Sequence, residues 1–115
     1  MPTFWGSDIN LRAMQATTKL AFHNGLQGTR LIESNLFTSV PEDELFDVIV
    51  FNPPYVATEE DELNRAQELK GIEAAWAGGK YGIEVLEQFL PQARSRLTDN
   101  GVIYLLLIDQ TMPLL

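Results

Sequence analysis

The feature that most constrains the fold is a junction: the apolar run Phe46-Asp47-Val48-Ile49-Val50-Phe51 ends directly on Asn52-Pro53-Pro54-Tyr55. The run is dominated by β-branched and aromatic side chains, which predicts a buried strand of a parallel sheet. Pro53 denies Asn52 the α region and neither proline carries an N–H, so the strand must stop there. Asn52 is thereby placed at the carboxyl end of a strand, the edge at which open α/β sheets bind their ligands.

The remaining pattern supplies neighbours for that strand. Thr3-Phe4-Trp5-Gly6-Ser7-Asp8 reads as the end of a strand. Asn10 is a helix N-cap, and Ala13, Met14, Thr17, Leu20 and Ala21 form an apolar stripe at helical spacing over Leu11 to His23. Asn24-Gly25 is a left-handed stop. Thr29 to Glu33 is a short strand, and residues 35 to 45 are a loop containing Pro41. Residues 56 to 81 are a long excursion, acidic at its start and helix-compatible near 59 to 69. Ile83, Leu86, Leu90, Ala93 and Leu97 share one helical face, with Pro91 expected to kink the helix or to begin a second segment. Asn100-Gly101 reads as a turn before a buried strand, Val102 to Ile108. The order strand, helix, strand, strand, helix, strand predicts an α/β fold, a parallel sheet with crossover helices on its faces.

Asn52-Pro53-Pro54-Tyr55 suits one kind of chemistry, methylation of a planar and weakly nucleophilic nitrogen. The lone pair of an amide or exocyclic amine is delocalised into the adjacent π system. The Asn52 side-chain carbonyl and the Pro53 backbone carbonyl can each accept one N–H hydrogen bond, which holds an NH2 group and favours localisation of its lone pair. Tyr55 offers a flat face for a planar acceptor. The plainer alternative is a strand closed by a Pro-Pro turn without chemistry.

Composition narrows the classes. The 115 residues carry 8 Lys and Arg against 16 Asp and Glu, a net charge of -8. A surface that tracks phosphates needs the opposite balance, so nucleic acid is an unfavoured partner. Glu42-Asp43-Glu44 and Glu59-Glu60-Asp61-Glu62 read as solvated loops or helix starts, or as surfaces attracting a basic partner. With no Cys and one His, neither a disulfide framework nor a thiolate metal site is expected, and His23 is a solvated or capping residue. No membrane span or signal peptide is read, which makes the cytoplasm, with the nucleus also open, the expected location.

Two stretches, Asn52-Pro53-Pro54-Tyr55-Val56 and Gly71-Ile72-Glu73-Ala74-Ala75-Trp76-Ala77-Gly78-Gly79, resemble the HemK-like glutamine N5-methyltransferases, and more narrowly their eukaryotic branch acting on a peptide-chain release factor. The resemblance runs from about Ser7 to about Asp109. It implies a class I, Rossmann-like, S-adenosylmethionine-dependent methyltransferase fold, of which residues 1–115 would form a partial domain holding the second to fifth strands. The family's donor loop, of the kind E-x-G-x-G-x-G, has no counterpart among these residues, so the chain is expected to be a truncated form, inactive by itself. In the family the first strand lies between the second and the fourth, so its loss would open the middle of the sheet.

The resemblance also distributes roles. Asp8 would accept from the ribose hydroxyls of S-adenosylmethionine, although Asp at that place is also a capping residue. Asn35, followed by Leu36, stands where the family usually has Asp, accepting from the adenine amino group; a turn Asn is the alternative. Asn52 would lie near the donor's methionine moiety and, with Pro53 and Tyr55, form the catalytic set. Pro54, Tyr55 and Trp76 would line the acceptor site with Asn52, Trp76 alternatively anchoring the long loop. Glu73 is a polar residue without an assigned role. Gly78, Gly79 and Gly82 suit a tight loop better than phosphate binding, and Trp5 suits a core position. No metal ligands are implied. The partners implied are a release factor as substrate and a small zinc-binding activator subunit along the strand Thr29 to Glu33. Two other functions remain: an adenine or cytosine N-methyltransferase acting on nucleic acid, which shares Asn-Pro-Pro-Tyr, and a catalytically silent chain that only binds a partner.

Overall fold

The computed structural model describes residues 3–54, 56–57, 65, 77–79 and 83–107. Its elements are β1 (Trp5–Asp8), α1 (Leu11–His23), β2 (Arg30–Glu33), β3 (Phe46–Phe51), β4 (Val56–Ala57), β5 (Ala77–Gly79), α2 (Glu84–Ser95) and β6 (Leu97–Leu105). They divide into two compact units, Met1–Pro41 and Glu42–Leu115. All three strand pairs are parallel, β1 with β2, β3 with β6 and β4 with β5, as expected for an α/β fold.

In the first unit the sequence signals act locally. The Asn10 side chain accepts from the Ala13 N–H at 3.1 Å and starts α1. At the other end Gly25 has φ +70°, the Leu26 N–H donates to the Ala21 carbonyl at 3.0 Å, and the Gly25 N–H donates to the Phe22 carbonyl at 3.1 Å. These are the paired bonds of a Schellman stop, which a Cβ-free residue permits. The stripe expected to bury α1 is only partly used: Met14 is buried, Ala13 and Ala21 are half-buried, and Thr17 and Leu20 are exposed. Trp5, expected in the core, is half-buried, with the Arg30 guanidinium 5.2 Å from its ring centroid. A four-residue strand beside another of the same length offers too little area to enclose an indole.

In the second unit α2 is continuous through Pro91, although that residue cannot donate to the Glu87 carbonyl. Burial of Val85, Leu86, Phe89 and Ala93 along one face outweighs the lost bond. Phe89, rather than Leu90, stands at the centre of that face, its ring 4.1 Å from that of Phe51. Leu97 does not continue the helix. The Phe46 N–H donates to the Arg96 carbonyl at 2.7 Å, and Leu97 opens β6 opposite Phe46.

The expected turn at Asn100-Gly101 is also absent, since both residues lie within β6. The register shifts between Phe46 and Val48, whose partners are Leu97 and Val102, so the extra residues are absorbed as a bulge. The long excursion begins and ends on paired strands, β4 and β5, with Gly78 and Gly79 in the latter; the helix suggested near 59 to 69 falls almost wholly outside the described residues.

The burial expected of β3 and β6 holds for one face only. Ile49 is buried, but Val48, Val50, Val102 and Tyr104 are exposed, Val50 to 75%. Parallel sheets are normally covered on both faces. Here α2 covers one, and each of β1 and β3 has a single strand neighbour among the described residues.

Candidate functional site

Two groups of predicted residues are described, one in each unit. In the first unit, β1 and β2 run parallel with Asp8 opposite Glu33, so the residues after both strands emerge at one carboxyl edge. The Ser34 N–H donates to the Asp8 carbonyl at 2.9 Å and ties the two exits together. Asp8 is exposed, and its Oδ1 accepts from the Asn10 N–H at 2.8 Å. This is a turn ahead of the helix, whose N-cap is Asn10, and Oδ2 takes no part in it.

Asn35 and Leu36 follow at the same edge. Their loop is closed by its own hydroxyls. The Thr38 hydroxyl and N–H donate to the Asn35 carbonyl at 2.9 and 3.1 Å. The Ser34 hydroxyl donates to the Leu36 carbonyl at 2.8 Å and accepts from the Ser39 N–H at 3.0 Å. None of these bonds uses the Asn35 side chain or the Leu36 N–H. Leu36 has φ +55°, a left-handed conformation uncommon for a residue with a Cβ. The structure thus brings Asp8, Asn35 and Leu36 to one edge, where the Asp8 Oδ2, the Asn35 side-chain amide and the Leu36 N–H take no part in these bonds. A nucleoside needs acceptors for its ribose hydroxyls and an acceptor beside a donor for its base edge, and this set fits one.

In the second unit, Asn52 is the first residue beyond β3. The strand end is held from two sides: the Leu106 N–H donates to the Phe51 carbonyl at 3.2 Å, and the Phe51 ring lies against Phe89. Pro53 and Pro54 are buried while Asn52 is exposed. Two prolines restrict the backbone, so Asn52 presents its amide from a stiff, anchored junction. Tyr55, Trp76 and Glu73 lie outside the described residues. The residues that sequence reasoning missed are Ser34 and Ser7, whose hydroxyl donates to the Leu36 carbonyl at 3.4 Å; the signal was present as small polar, turn-forming residues at two strand ends.

A family model, "Methyltransferase small domain", matches residues 3–78. The chain belongs to that family. Its parallel strands and helices are those of a partial Rossmann-like methyltransferase fold, and the HemK-like resemblance is borne out by the relatives. Methyltransferase HEMK2 of Mus musculus is 36% identical over 108 residues, 93% of this chain and 49% of the relative. The eRF1 methyltransferase catalytic subunit mtq2 of Schizosaccharomyces pombe is 40% identical over 110 residues, 89% of this chain and 46% of the relative. A release factor glutamine methyltransferase of Borreliella burgdorferi is 32% identical over 98 residues, 84% of this chain and 34% of the relative. The chain spans about half the length of the first two.

These lengths suggest a test vehicle, a chimera in which this chain replaces the matched stretch of the mouse relative. One expectation concerns how the Asn52 junction is held. A Cβ on Gly101 would stand 2.9 Å from Leu97 Cδ2, 3.0 Å from the Phe46 carbonyl oxygen and 3.1 Å from that of Thr98. Two of those atoms are backbone and cannot turn away, so Gly101→Ala in the chimera should destabilise by about 1–3 kcal/mol. A denaturation midpoint equal to that of the unsubstituted chimera would show that the β3–β6 register tolerates the methyl group.

Proposed function

We propose that the protein containing this chain methylates the side-chain amide of glutamine in a Gly-Gly-Gln loop of a peptide-chain release factor, with S-adenosylmethionine as donor. The observation that carries this reading is the exposed Asn52 amide on an anchored strand end, followed by two buried prolines. In this reading residues 1–115 supply the second to fifth strands of one methyltransferase domain, and by themselves they are inactive.

The donor supplies an electrophilic methyl group when bound. Asp8 accepts from its ribose hydroxyls, and Asn35 and the Leu36 N–H face the adenine edge. The Asn52 side-chain carbonyl and the Pro53 carbonyl accept the two N–H bonds of the acceptor amide. This orients the NH2 group and opposes delocalisation of its lone pair, so nucleophilicity comes from positioning and polarisation rather than from a base. Pro54, Tyr55 and Trp76 complete the acceptor surface, Tyr55 by stacking on the planar amide. A small zinc-binding activator subunit meets the edge of β2, which has one strand neighbour among the described residues. No helix among the described residues is long and apolar enough to cross a membrane, and the cytoplasm is where such a substrate would be met.

Side-by-side labelling tests the acceptor. With labelled donor and activator present, the chimera should modify a release factor at glutamine and leave adenine-containing DNA nearly unlabelled, because the 115 residues contributed by this chain carry a net charge of -8, which repels phosphates. Efficient DNA labelling with none on the release factor would replace this reading with the nucleic-acid one.

A further inference from the structure

The loop after β2 holds Leu36 in a left-handed conformation that a leucine adopts only when its surroundings impose it. The imposing group is identifiable. Ser34 is 4% exposed and is the buried polar side chain among the described residues. Its hydroxyl makes two bonds, donating to the Leu36 carbonyl and accepting from the Ser39 N–H. The first bond turns the Leu36 carbonyl inward, and the second closes the loop behind it. Ser7 adds a weaker bond to the same carbonyl from β1. The Leu36 carbonyl shares its rigid peptide plane with the Phe37 N–H. The plane that carries the Leu36 N–H is held at the Asn35 carbonyl by Thr38, so the Ser34 and Thr38 bonds together fix the two planes that meet at Leu36.

We propose that Ser34 is a positioning residue that locks the Asn35–Leu36 backbone, and that discrimination for an adenine base at this edge depends on that lock. The proposal rests on the donor site placed here under the proposed function. Its chemical reason is the side chain at position 35. An amide carries both an acceptor and donors, so by rotating it can face a 6-amino or a 6-oxo purine alike. A backbone N–H cannot reverse its polarity. It donates to the bare N1 of adenine and opposes the protonated N1 of hypoxanthine. Selectivity therefore passes from the Asn35 side chain to the Leu36 N–H, whose direction is kept while Thr38 holds the Asn35 carbonyl and Ser34 holds the Leu36 carbonyl. Ser34 touches neither base nor ribose in this scheme and acts only through the loop.

Calorimetric titration of the chimera with S-adenosylhomocysteine and S-inosylhomocysteine tests this. The unsubstituted chimera should prefer the adenine ligand. Ser34→Ala should weaken S-adenosylhomocysteine binding about tenfold, weaken S-inosylhomocysteine much less, and so collapse the preference, while kcat at saturating donor changes little. Ser34→Thr, which keeps the hydroxyl, should restore the preference. Should Ser34→Ala not fold, Ser7→Ala carries the test from an exposed position and should lower the preference two- to threefold.

Asn35→Ala separates the two levels. If it weakens the adenine ligand while the serine variants leave the preference intact, the lock is overturned and the donor site stands. If neither Asn35→Ala nor Asp8→Ala affects binding, the donor site itself is misplaced.

Discussion

Asn52→Ala in the chimera should lower methyl transfer to a release factor by roughly two to three orders of magnitude, while donor affinity stays within about twofold. On the proposed reading, donor and acceptor are held by different residues. The groups assigned to the donor, Asp8, Asn35 and Leu36, stand together after β1 and β2, and Asn52 stands after β3. Removing its amide deletes one of two acceptors for the substrate NH2 group but leaves the strand end in place, since that is held by the Phe51 carbonyl and ring. The expected signature is a collapse of kcat with an unchanged donor dissociation constant. A variant that retained most of its activity would show that the amide is a turn residue and that the acceptor is held elsewhere. Loss of donor binding in step with activity would place Asn52 chiefly in the donor site.

The second large effect concerns the 115 residues taken alone. They should unfold without a sharp transition, self-associate, and bind S-adenosylmethionine too weakly to titrate at micromolar concentrations. Val48, Val50, Val102 and Tyr104 leave one face of β3 and β6 apolar and exposed, and β1 and β3 each have one strand neighbour among the described residues. Parallel pairs depend on covered faces, and unpaired strand edges promote association. No E-x-G-x-G-x-G segment occurs in the sequence to approach the donor. Adding the remaining sequence of the mouse relative, by fusion or in trans, should yield a monomer with cooperative unfolding and measurable donor affinity. A sharp two-state transition for the 115 residues alone would sink this expectation, as would micromolar donor binding.

The contrast between the two units shows how far local signals carry. Asn10, Gly25 and the Pro53-Pro54 pair act through their own backbones, by accepting one N–H, adopting a positive φ or lacking an N–H. Their consequences, the start and stop of α1 and the end of β3, were readable as sequence. The same holds for the alternation of strands and helices, and for Asn52 at a strand's carboxyl end. The family resemblance was likewise readable as sequence, in residues 52–56 and in the stretch 71–79.

What only the tertiary structure decided involves groups distant in sequence or a choice between equivalent patterns. Whether Leu97 extends α2 or opens β6 depends on Phe46, fifty-one positions earlier, which offers its N–H to the Arg96 carbonyl. Gly101 is a turn residue by type, but the approach of the Phe46 carbonyl makes it a strand residue without room for a Cβ. Phe89 rather than Leu90 fills the centre of α2's buried face because Phe51 meets it there. Their apolar runs made β3 and β6 read as buried strands, yet burial depends on what covers each face, and α2 covers one among the described elements. Ser34 carries no motif at all. Its buried hydroxyl bonds the Leu36 carbonyl and the Ser39 N–H, a geometry that no residue's identity fixes alone.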